Sequence, residues 1–189
     1  MITLVIGVYM KYVARFIGLI LGILLILEFL VHIAFLLGAM TQSTTLSLIA
    51  VIWLFFVYMV RSMFVVFFAI IVALISHRIH MREMFYSSLL LVIYILLEFF
   101  SAFLLWLILP CIILGTLAFS LLGLGIRNWG LRVGEDAFIL AGTVMIVGAL
   151  LFVAGIGGMV IGFSLIIFSN ALAYNKDISL NRREAECPR

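Results

Sequence analysis

From Phe16 to Met40 the chain carries a single charged residue, Glu28, and comparable apolar runs recur along its length. About 20 apolar residues suffice for a helix to cross the hydrocarbon of a bilayer at 1.5 Å per residue. A water-soluble fold cannot hide runs of this kind. With 10% of the 189 residues charged and 68% hydrophobic, too little polar surface is left to face water. The chain therefore reads as an all-α integral membrane protein. A β-barrel is disfavoured because the runs lack period-two alternation. Lys11 and Arg15 precede the first run, but that run outlasts a signal-peptide core and has no early cleavage site, so it reads as a retained span.

Polar punctuation divides the chain into four expected transmembrane helices. Span one covers roughly 16–40 and ends at TQSTT. Span two covers 46–75 and ends at SHRIHMRE. Span three covers 85–110, with an apolar extension to 126 that is too long for one straight crossing, so Pro110 is expected to kink or break it. Span four covers 137–170. Residues 1–174 then form the membrane domain and 175–189 a cytosolic polar tail. In this arrangement Lys11, Arg15, Arg78, Arg82, Lys176, Arg182, Arg183 and Arg189 share one side, against Arg127 and Arg132 on the other. That bias places both termini in the cytosol.

Three ionisable residues fall inside the spans: Glu28, Arg61 and Glu98. Each would cost at least about 2.5 kcal/mol facing lipid near the bilayer centre, so they should face one another, the bundle interior or water. One arginine neutralises one glutamate. The bland reading is an interhelical ion pair with the second acid protonated. The functional reading puts the second acid on an aqueous path, repeated as a ring in a symmetric homo-oligomer around a central pore. Glu28 and His32 lie about 40° apart on the helical wheel, and Lys11, Arg15, Gly18 and Gly22 widen that sector to about 140°. Glu98 has only Tyr94 and Ser101 as nearby polar companions. This favours Arg61–Glu98 as the structural pair and Glu28, with His32 beside it, as the pore acid.

Gly18 and Gly22 in span one, and Gly158 and Gly162 in span four, form GxxxG patterns that suit close helix packing, within or between subunits. Glu135 and Asp136 open span four, where acids favour the positive end of the helix dipole. At a pore mouth they would also concentrate cations. His77 and His80 join Arg78 and Arg82 in a basic patch suited to lipid headgroups. The two cysteines, Cys111 and Cys187, suggest no disulfide framework.

An enzyme is the least supported class, since the chain shows no metal-ligand set, no nucleophile with its base and no phosphate-binding loop. No cofactor or nucleic-acid partner is indicated; the expected partners are further copies of the chain and membrane lipids. In size, span count, lack of soluble domains and the depth of acids such as Glu28, the chain resembles the WeiTsing-type channels. These are small plant endoplasmic-reticulum proteins that form pentameric, calcium-permeable cation channels in immune defence. The resemblance implies cation release from a lumenal store into the cytosol, with Glu135 and Asp136 on the lumenal side. The competing expectation is a non-conducting four-span scaffold or accessory subunit, with the Arg and Glu set as a structural lock.

Overall fold

The computed structural model describes residues 2–101, 104–154 and 156–174. Gly155 and the polar tail from Asn175, including Cys187, lie outside the described residues. Within them the chain forms six α-helices: α1 (Ile2–Met40), α2 (Thr44–Ile79), α3 (Arg82–Ser101), α4 (Ile108–Val133), α5 (Asp136–Leu150) and α6 (Gly157–Tyr174). One-turn 3-10 segments precede α4 (Leu105–Leu107) and follow α5 (Leu151–Ala154). Four of the helices, α1 to α4, are long and apolar enough to cross a membrane.

The first two expected turns form for local reasons. Gln42 adopts a left-handed conformation, and the Ser43 side chain accepts from the Leu46 N–H to cap α2. At the other end of α2, His80 sits at φ 54°, and the Met81 N–H donates to the Ser76 carbonyl at 3.0 Å. This is a left-handed C-terminal cap made without glycine. Gly134, at φ 74°, closes α4 in the same way, and Glu135 occupies the N-cap position of α5, with Asp136 in its first turn.

The second half of the chain departs from the expected spans. Residues 85–126 do not form one kinked helix. α3 stops at Ser101, and α4 runs back beside it, with Gly125 against Met84 and Tyr94 against Gly115 and Phe119. Pro110 is the third residue of α4, where a missing N–H breaks no helical bond, so it sits just after the reversal rather than at its centre. Residues 137–170 likewise form an antiparallel hairpin. Phe138 packs on Phe168 at 5.7 Å between ring centroids, and the Ser164 hydroxyl donates to the Ala141 carbonyl at 2.6 Å.

Each helix therefore packs antiparallel on its sequence neighbours, and α6 closes the ring against α1. At that closure Gly22 faces Gly162 so closely that a β-carbon on either would meet the other's carbonyl oxygen at 2.6 Å. Gly18 lies against Ser169. These glycines join helices within one chain. Gly158, by contrast, has open space around it. Apolar side chains from all six helices, among them Leu21, Phe68, Leu91, Phe119, Met145 and Leu165, form one continuous core in the middle of the ring.

The two extra reversals change which residues share an end. The α4–α5 turn lies beside the α2–α3 turn, so Arg127, Arg132, Glu135 and Asp136 stand at the same end as Arg15, Arg78 and Arg82. The expected division of basic residues between two sides is thus corrected. Among the described residues, the connections at the opposite end, α1–α2, α3–α4 and α5–α6, carry no charged side chain. Trp129 is buried and stacks on Phe138 at 4.7 Å.

Candidate functional site

Glu28, Arg61 and Glu98 come from three different helices and meet at one level. Arg61 lies at the middle of α2 (Thr44–Ile79), which the alternating run of the bundle brings beside Glu28 of α1 and the last turn of α3. Its Nη1 donates to both carboxylate oxygens of Glu28, at 2.8 and 2.7 Å. Its Nη2 stands 2.6 Å from Oε1 of Glu98, an ion pair without hydrogen-bond alignment. One planar guanidinium thus holds two acids with two different nitrogens, which a lysine ammonium cannot reproduce.

The Arg61 side chain is 5% exposed, those of Glu28 and Glu98 15% and 16%. A charge so sheltered must be compensated, and the neighbours do this. The Tyr94 hydroxyl donates to Oε1 of Glu98 at 2.8 Å, and the Tyr58 ring lies 4.9 Å below the guanidinium carbon. Tyr94 is itself fixed edge-on between Phe119 of α4 and Phe152. Two polar edges stay open: Arg61 Nε and Glu98 Oε2 have no hydrogen-bond partner among the described residues.

Arg61 contacts Glu28 as well as Glu98, a larger unit than the single Arg61–Glu98 pair expected from the sequence. Glu28 is engaged by the same arginine, so it is not the acid left over. With both carboxylates ionised the trio carries one net negative charge; with one protonated it is neutral. His32 is exposed and turns its Nδ1 to the Glu28 backbone carbonyl at 2.8 Å, not to the carboxylate. Glu135 and Asp136 lie about 24 Å away along the helices, by the 16-residue rise of α3 between Arg82 and Glu98. They therefore do not belong to this site. Sequence reasoning overlooked Tyr58, although its i, i+3 spacing to Arg61 placed it on the same helix face.

Among the described residues no group of three or more His, Cys, Asp or Glu side chains gathers to hold a metal ion. What the arrangement does chemically is hold charge: it ties three helices through one cation and keeps two acids at a shared depth. No protein-family model, no curated protein and no solved structure matches the chain.

Proposed function

We propose that this chain is a membrane-embedded helical scaffold or accessory subunit, with Arg61 as the lock that fixes α1, α2 and α3. The observation that carries this reading is the double engagement of Arg61, whose two terminal nitrogens serve Glu28 and Glu98. A lone intramembrane charge calls for a functional path; a cation flanked by two acids at 2.6 to 2.8 Å is explained by packing. The continuous apolar core through the ring adds support, because it leaves the subunit interior to side chains.

A second reading, an oligomeric and calcium-permeable cation channel, is favoured by one specific observation. The trio has two acids for one base, and both acids keep part of their surface open. In a ring of subunits such a residual negative charge would select cations. The endoplasmic-reticulum location, the pentamer and the role in plant immune signalling follow only from the resemblance in layout. The orientation with both termini in the cytosol is supported by the gathering of Arg15, Arg78, Arg82, Arg127 and Arg132 at one end.

The deciding experiment is recording from the purified chain in planar bilayers with asymmetric potassium and calcium. Silence from a folded, monodisperse protein fits the scaffold. Unitary cation currents whose selectivity changes in Glu28→Gln would overturn it in favour of the channel.

A further inference from the structure

We infer that the α2–α3 turn holds an anionic phospholipid, with its phosphate in a cationic cleft and an acyl chain along α3. The cleft, about 380 Å³, is lined by Ser76, His77, His80, Arg82, Phe85 and Tyr86. His77, His80 and Arg82 are exposed, so their donors are available to a ligand. Arg78 stands in the same turn, and Glu83 is the one acid there, leaving the turn with a net positive charge before either histidine is protonated.

The cleft opens at the end of an apolar helix, and this selects an amphiphile over a free anion. From its mouth the exposed residues Phe85, Leu89, Ile93, Leu96 and Phe100 follow one another at spacings of four, four, three and four. Those spacings keep them on one face of α3, an uninterrupted apolar track leading away from the charges. Phosphate oxygens would take charge-assisted hydrogen bonds from Arg82 and the imidazoles, while Tyr86 offers a hydroxyl at the glycerol level. The backbone shapes the cleft as well. His80 holds the left-handed conformation that reverses the chain, so its ring is placed by the C-terminal cap of α2.

The test uses the full chain in a mild detergent, measured by native mass spectrometry and thermal unfolding. The probes are a phosphatidylglycerol, a phosphatidylcholine of the same acyl length, and inorganic phosphate. The expected result is selective retention of phosphatidylglycerol with a raised Tm. Arg82→Gln should weaken that retention about fivefold, the effect of one basic residue near an anionic headgroup. His80→Asn removes the imidazole but tolerates the left-handed turn, so it tests the site without threatening the fold. Arg132→Gln, at the same end but outside the cleft, should leave retention unchanged.

Equal retention of phosphatidylcholine would overturn the proposal. So would a loss in Arg132→Gln as large as that in Arg82→Gln, because retention would then reflect overall charge. Inorganic phosphate raising Tm as much as the lipid would overturn the acyl track and leave a plain anion site. Unchanged lipid retention in both Arg82→Gln and His80→Asn would remove the cleft itself.

Discussion

Replacing Arg61 by methionine tests whether the trio is a lock. Methionine keeps much of the length and apolar stem but removes the cation that stands within 2.6 to 2.8 Å of two carboxylates. Both acids would be left 15–16% exposed with no counter-charge, and they would have to take up protons or draw in water. Stranding a buried charge in this way costs about 3–5 kcal/mol in soluble proteins. Polar interactions between membrane helices are measured lower, averaging about 0.6 and reaching about 1.7 kcal/mol. Removing both ion pairs at once should therefore cost about 2–4 kcal/mol on these scales. Glu28→Gln and Glu98→Gln each leave Arg61 one acid and should cost about 1 kcal/mol. The triple variant Arg61→Met, Glu28→Gln, Glu98→Gln should regain part of the loss, because the penalty lies in the stranded acids. Reversible unfolding in mixed micelles, followed by helical circular dichroism, reads all four. An Arg61→Met protein within about 0.5 kcal/mol of the parent would refute the lock. So would a triple variant less stable than Arg61→Met alone.

Other outcomes follow from the packing. Gly22→Leu should destabilise the α1–α6 closure by about 1–3 kcal/mol, while Gly158→Ala, in open space, should be neutral; thermal unfolding separates them. Pro110→Ala should change stability by less than about 0.5 kcal/mol, since proline in the first turn of α4 breaks no helical bond. In a background with Cys111 and Cys187 changed to serine, Gln42→Cys and Arg132→Cys should react with an impermeant maleimide from opposite sides of a sealed vesicle. Labelling from the same side would restore the simple four-crossing topology and contradict the extra reversals.

The first half of the fold is legible in the sequence because its turns are polar. TQSTT and SHRIHMRE interrupt apolar runs with residues that cap helices, and the structure reverses at both. The later reversals carry no such mark. The residues entering α4 read LLWLIL, and α5 gives way to α6 within LFVAGIGG, both as apolar as the helices they join. Only length betrays them. Residues 137–170 would make a helix of about 50 Å, far beyond one crossing, just as 85–126 would. Glycine density there suggests bending, when Gly148 and Gly157 in fact permit a tight antiparallel return. The trio is legible as three costly residues of comparable depth. Its stoichiometry is not, because a helical wheel shows which face an acid occupies but not that one guanidinium can reach two partners.

The helices also differ in length, and this bears on the surrounding lipid. α2 runs for 36 residues, about 54 Å, while α5 and α6 run for 15 and 18, about 22 and 27 Å. Along α2 the exposed side chains stay apolar from Leu74 back to Leu46, whereas the short hairpin of α5 and α6, which packs on α1, ends far sooner. A bilayer about 30 Å thick cannot match both flanks at once. It must thicken or the molecule must tilt on one side, and thin on the other, at a cost of fractions of a kcal/mol per Å. A molecule built this way acts as a wedge in the plane of the membrane. On this mismatch alone it is expected to settle along a seam where thick and thin bilayer meet, with α2 turned toward the thicker side.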